Sequence, residues 1–143
     1  MLSRIVIAAT AALVLTGGVA LAQQDVIKAR QDGFSDYKKA MGEIKDALGK
    51  DQLAAIVPVG QRIEAFAAKI PGLFPPGSDK GKTGAKEVIW ANFSDFTAKA
   101  KGAETAGKAL ADAAATGDKA ATGQAFAALA DACKACHQRY RAD

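Results

Sequence analysis

Close to the C-terminal end the chain reads Cys133-Lys134-Ala135-Cys136-His137, a Cys-x-x-Cys-His run holding the only two cysteines and the only histidine of the sequence. This is the spacing at which haem c is attached. Two thiols add to the two vinyl groups on adjacent edges of the porphyrin, and the next residue sets its imidazole beneath the iron. On a helix the three residues fall at i, i+3 and i+4, and so share one face. Other chemistries meet obstacles. A zinc site lacks its fourth ligand, and a redox Cys-x-x-Cys needs a strand before a helix N-terminus, for which there is no βαβ pattern. A Ser-His-Asp triad would have to recruit the same histidine, and a disulfide-stapled miniprotein would need more cysteines. One covalently bound haem c is therefore expected, with Cys133 and Cys136 as thioether links and His137 as the axial ligand of the iron.

Four segments with apolar residues 3 and 4 apart must position this motif. The first is Ile27, Arg30, Phe34, Tyr37, Met41, Ile44, Leu48, and the second Leu53, Ile56, Gly60, Ile63, Ala67, Ile70. The third is Ile89, Phe93, Phe96, Ala100, Ala103, Gly107, Leu110, and the last Thr122, Phe126, Leu129, Cys133, Cys136, Tyr140. Four seams of 3.5 period predict an all-α fold, an antiparallel, left-handed four-helix bundle. The motif lies on the seam of the last helix, so the macrocycle enters the bundle. Gly49-Lys50-Asp51 ends the first helix and offers Asp51 as N-cap of the second, while Thr116-Gly117-Asp118 supplies a C′ glycine and then an N-cap aspartate. Pro58 predicts a kink or a late start in the second helix. The run Pro71-Gly72-Leu73-Phe74-Pro75-Pro76-Gly77-Ser78 opens one long loop that reaches to about Thr83. Short first and third connections around a longer middle one suit up-down-up-down order. The seams are rich in Ala and Gly, whereas Phe34, Tyr37, Phe74, Trp90, Phe93, Phe126 and Tyr140 either fill the core or line a pocket for a planar group.

Arg30 is the one charge on an apolar seam, and a charge there must be paired or reach solvent. A haem propionate would satisfy it, with Gln31 as a second donor; the alternative is a snorkelling side chain. If Arg30 marks the haem edge, Phe34 one turn on is placed over the iron. Met41 lies two further turns away, about 10 Å at 1.5 Å per residue. Since phenylalanine cannot ligate, the expectation is five-coordinate iron under an apolar cap. Met41 belongs to the core on this reading, and Tyr37 is a lesser candidate for the distal position.

The N-terminus carries Arg4, an apolar run from Ile5 to Leu15, Gly17-Gly18, and Ala20-Leu21-Ala22. That is the pattern of a signal peptide, residues 1–22, cut before Gln23; the run is barely long enough for a membrane anchor. Export to a periplasm and one domain over residues 23–143 follow. Removing Arg4 takes the formal charge from +4 to 4 − 1 = +3. So modest an excess, interspersed with acids along the helices, argues against nucleic acid as a partner. No membrane contact is expected after cleavage.

Cys133-Lys134-Ala135-Cys136-His137 followed by Tyr140-Arg141, the run Ile27-Lys28-Ala29-Arg30-Gln31, and Ile89-Trp90 after the Phe74-Pro75-Pro76-Gly77-Ser78-Asp79 loop together resemble the cytochrome c′ family, which includes the six-coordinate cytochromes c-556. The likeness spans the whole mature chain; it departs at Glu87-Val88, where many relatives have Pro-Glu before Ile-Trp. It implies that Arg30 and Gln31 contact the propionates and that Phe34 is the distal cap. Phe74, Trp90, Tyr140 and Thr83 would lie against the haem, and Arg141 would flank the proximal imidazole. It further implies a homodimer through the first two helices, a periplasmic redox partner protein, and binding of nitric oxide or carbon monoxide. Two readings follow, neither of them an enzyme. One is a five-coordinate protein for electron transfer and diatomic gases; the other is a low-spin His137/Met41 electron carrier of the c-556 kind. A peroxidase would want distal His and Arg groups, and none besides Arg30 lies near Phe34.

Overall fold

The computed structural model describes residues 15–142, with side chains from Gln23 onward. Four long helices form the bundle: α1 (Leu15–Gly49), α2 (Leu53–Lys69), α4 (Phe93–Ala115) and α5 (Lys119–Tyr140). A 3₁₀ turn over Ile70–Leu73 opens the long loop, and a single helical turn, α3 (Val88–Ala91), closes it. Of the expected leader, residues 1–14 lie outside the described residues, and α1 runs unbroken through the expected cleavage point. Among the described residues no helix is long and apolar enough to cross a membrane.

The helix ends show where local chemistry decided. At the end of α1 the N–H of Gln52 donates to Ala47 O at 2.9 Å and that of Asp51 to Leu48 O at 3.3 Å, a Schellman closure with Asp51 left-handed at φ 56°. Asp51 is thus the last residue of the α1 closure and does not cap α2, whose N-cap is Gln52 with no side-chain bond. Its carboxylate instead pairs with Lys119 at 2.6 Å. The other junction follows expectation. Gly117 takes φ 75°, and Asp118 Oδ1 accepts the N–H of Ala121 at 3.0 Å. Asp118→Ala should therefore cost about 1 kcal/mol, read as a lowered urea midpoint at unchanged m-value.

Two further differences concern α2 and α4. The second helix starts at Leu53, ahead of Pro58, so there is no late start; the proline stands in its second turn. The third seam is not one continuous helix from Ile89. Asn92 leaves helical geometry at φ −132°, ψ 43°, and its side-chain amide donates to Val88 O at 3.3 Å. Its backbone N–H donates to Val88 O and Ile89 O as well, so Asn92 closes the short turn with both backbone and side chain, a local side-chain bond that competes with continuing the helix. The break turns Phe93 outward, to 38% exposure, while Phe96 remains buried.

The interior has two parts. Ile44, Ile56, Ile63, Leu110 and Leu129 fill one end, and Phe74, Ile89, Phe96 and Tyr140 the other. Helices α2 and α4 make the closest contact, because Gly60 and Gly107 lie backbone to backbone: a Cβ on Gly107 would sit 2.8 Å from Ile63 Cγ2, and one on Gly60 3.0 Å from Ala111 Cβ. Helix α1, by contrast, packs mainly on α2 and stands off α4 and α5. The space left there is the site.

Candidate functional site

A cavity of about 800 Å³ opens between α1, α4, α5 and the long loop, a size usual for cofactor sites. Cys133, Cys136, His137 and Tyr140 present one wall of it from α5. Successive turns of α1 present Arg30, Gln31, Phe34, Tyr37 and Met41 from the other. The rings of Phe34 and His137 meet edge-on, with centroids 6.3 Å apart and planes at 71°. Phe34 in turn rests edge-on against Phe66 of α2 at 5.2 Å, and Phe66 also meets Tyr37 at 6.0 Å. Gly33 permits this, since a Cβ there would run into the Phe66 ring.

Both thiols are half-buried, and desolvation pushes each pKa up. Contact with Tyr37 partly offsets this at Cys133, and Lys99 does so at Cys136. Desolvation and then Arg141 push the His137 imidazolium down, which leaves the ring neutral, the form a metal ligand needs. The Tyr37 hydroxyl is buried beside Cys133 without a hydrogen-bond partner, and burial raises its pKa far above the usual phenol range.

Arg30 is buried, at 2% exposure, and the structure shows what holds it. Nη1 donates to Ser78 Oγ at 2.8 Å and Leu73 O at 3.2 Å; Nη2 donates to Ser78 O at 2.5 Å and Thr83 Oγ1 at 2.8 Å. Its guanidinium also lies 4.4 Å over the ring of Phe74. It does not snorkel. Instead it ties both ends of the long loop to α1, and Gln31 adds a bond to Lys82 O at 2.8 Å. No carboxylate among the described residues pairs with it directly, for Asp79, the nearest acid to act on it, bonds Lys80.

The loop's far end is fastened to the C-terminus. Lys86 N–H donates to Tyr140 O at 3.0 Å and Ala142 N–H to Gly84 O at 2.8 Å, on either side of a bridge between Ala85 and Arg141. This clasp brings Arg141 to the cavity rim beside His137. The Tyr140 hydroxyl donates to Asp95 at 2.5 Å. That bond, ahead of Lys99 and Arg139, holds the Asp95 carboxyl below its ordinary range.

Of the residues singled out from the sequence, the cavity unites Cys133, Cys136, His137, Arg30, Gln31, Phe34, Phe74, Thr83, Tyr140 and Arg141. Trp90 is not on its wall. It stands behind Phe74, ring centroids 6.3 Å apart, and its Nε1–H donates to Phe74 O and Pro75 O, both at 3.0 Å. Met41 does line the cavity, while also packing on the apolar core. Sequence reading missed Ser78, Phe66, Gly33 and Lys99. Only Ser78 carried a signal, as the hydroxyl of a loop that a buried arginine needs.

The donor set fits haem c: two thiols and a neutral imidazole on one wall of a single cavity, with apolar and aromatic groups opposite. The family model for cytochrome c′ matches residues 25–141. A cytochrome c′ of Pararhodospirillum photometricum is 38% identical over 124 residues, covering 79% of this chain and 99% of that one. The crystal structure of cytochrome c′ from Thermochromatium tepidum superposes with a TM-score of 0.79 at 38% identity, over 85% of this chain and 97% of the other. A nitric oxide complex of a cytochrome c prime variant from Alcaligenes xylosoxidans gives a TM-score of 0.74 at 26% identity, with 85% and 97% covered. The chain belongs to the cytochrome c′ family, a four-helix bundle that carries a single covalent haem c.

Proposed function

We propose that the protein is an exported, five-coordinate haem protein that binds nitric oxide, and carbon monoxide when reduced, and that also passes electrons. The observation that carries this is the apposition of Phe34 and His137 across the cavity, 6.3 Å between ring centroids. When bound, the haem supplies an iron that cycles between Fe(III) and Fe(II) and takes a diatomic ligand. Cys133 and Cys136 would hold it covalently, and His137 would ligate its iron. Phe34 offers no lone pair and covers the opposite side, so an incoming ligand must displace its ring. Phe66 backs that ring and resists its movement. The Nη groups of Arg30 are taken up by Leu73, Ser78 and Thr83 and the Gln31 amide by Lys82 O, so Arg30 would act on the propionates through its buried charge, which has no acid bonded to it. The Alcaligenes relative, whose structure is a nitric oxide complex, supports the gas-binding part. Cleavage before Gln23, a periplasmic location and a homodimer through α1 and α2 complete this reading.

A second reading rests on Met41, which lines the same cavity. As sixth ligand it would make a low-spin His/Met carrier closed to gases, with a raised potential.

Stopped-flow mixing of the reduced holoprotein with carbon monoxide separates the two. The on-rate should rise by roughly tenfold or more in Phe34→Ala, as a barrier of about 1.4 kcal/mol or more is removed. A rate unchanged by Phe34→Ala but raised by Met41→Leu supports the second reading.

A further inference from the structure

Charge is distributed unevenly around the cavity. Its lining includes Arg30, Lys38, Lys99 and Arg141 and no aspartate or glutamate. The adjoining recess around His137 adds Lys134, again with no acid. Lys82 and Lys86 flank the lining residues Thr83, Gly84 and Ala85 in sequence without themselves lining the cavity. Elsewhere on the surface acids accompany several cations, as in Lys28–Asp32, Lys39–Asp36, Arg62–Glu43 and Lys108–Asp112, although Lys45, Lys50 and Lys69 also form no ion pair among the described residues. Of the acids near the rim, Asp95 is engaged by Tyr140 and Arg139 and Asp79 by Lys80, whereas Glu87 and Asp131 form no ion pair among the described residues and offset part of the positive charge. None of Lys38, Lys82, Lys86, Lys99, Lys134 or Arg141 forms an ion pair among the described residues. All but the partly covered Lys99 are exposed.

Arg30, Lys38, Lys99 and Arg141 on the lining and Lys134 in the adjoining recess, with no acid among either set, raise the local positive potential at some cost in self-repulsion. Two propionates would offset only part of it. The opening is also where His137, the residue that would ligate the iron, is exposed at the protein surface. From this we infer that the cavity rim is the docking face for a redox protein whose own electron-transfer site is ringed by Asp and Glu. The inference rests on the haem reading above. Steering of this kind raises encounter rates by roughly 10–10³ at low salt and fades as the Debye length shrinks.

The test uses the reduced holoprotein and two one-electron oxidants of opposite charge, hexacyanoferrate(III) and tris(phenanthroline)cobalt(III). In each reaction one electron leaves Fe(II) of the haem, giving Fe(III), and reduces the probe to hexacyanoferrate(II) or to Co(II). Lys38→Glu/Lys134→Glu should slow the anionic oxidant by roughly tenfold or more at low ionic strength and speed the cationic one. A mere shift of haem potential would move both rates the same way. Lys45→Glu/Lys50→Glu, the same charge change at the far end of α1, should do neither. Poly-L-glutamate should slow the hexacyanoferrate reaction of the parent protein, whereas free glutamate at equal residue concentration should not. Equal effects of the two double variants, or no competition by poly-L-glutamate, overturn the docking face. Competition by free glutamate just as strong means a site for small anions and also overturns it. Failure of the haem reading itself would show earlier, as a protein without a haem absorbance.

Discussion

Replacing Cys133 and Cys136 together with alanine should abolish covalent attachment. Haem should then extract fully into acidified acetone, and the polypeptide mass should equal that of the bare chain. Each single replacement should leave one thioether, with a porphyrin α-band displaced from that of the doubly linked form. The expectation follows from position. Both thiols face the same cavity as His137, and they are not joined to each other. Each therefore stands where it could add across a vinyl group of a porphyrin seated in that cavity. Retention of two thioether bonds in any of these variants would refute the site.

The largest effect on stability should come from Arg30→Leu. Four N–H groups of a buried guanidinium bond to Leu73, Ser78 and Thr83 across 43 to 53 residues of sequence. Hydrogen bonds to a charged group contribute about 1.5–3 kcal/mol each and do not add, so a loss of roughly 3–5 kcal/mol is expected. For a domain of this length that lowers Tm by roughly 10 °C or more. The loop should loosen with it, because Ser78 Oγ and Thr83 Oγ1 lose their donor. Arg30→Lys should recover only part, since an ammonium cannot reach both sides of the loop as the planar fork does. A Tm for Arg30→Leu within about 2 °C of the parent would mean that the network carries little stability.

Much of this was legible in the sequence, for identifiable reasons. Cys-x-x-Cys-His on a helical seam fixes three side chains relative to one another without help from the rest of the chain. Periodicity then places Arg30 and Phe34 on the facing helix, and Phe34 does oppose His137. The cap at Asp118 is equally local, a side chain reaching a backbone N–H three residues on. What escaped depends on contacts between distant segments. Arg30 called for a partner, but Ser78 lies 48 residues away and its hydroxyl resembles any loop hydroxyl. The clasp between Gly84–Lys86 and the residues after α5 is made of backbone groups, which leave no mark on composition. Asp51 and Asn92 show the opposite difficulty. Each is a good capping residue by type, yet one adopts a left-handed closure and the other interrupts a helix. Trp90 carried part of the family likeness and proved to be the backing of Phe74, bonded to loop carbonyls.

The visible spectrum of the reduced holoprotein, taken before and after carbon monoxide, tests the central claim most directly. A broad high-spin spectrum that converts to a sharp carbon monoxide form is the expected result, with Met41→Leu leaving the starting spectrum unchanged. A sharp low-spin spectrum indifferent to the gas, turned high-spin by Met41→Leu, would contradict the five-coordinate site under Phe34.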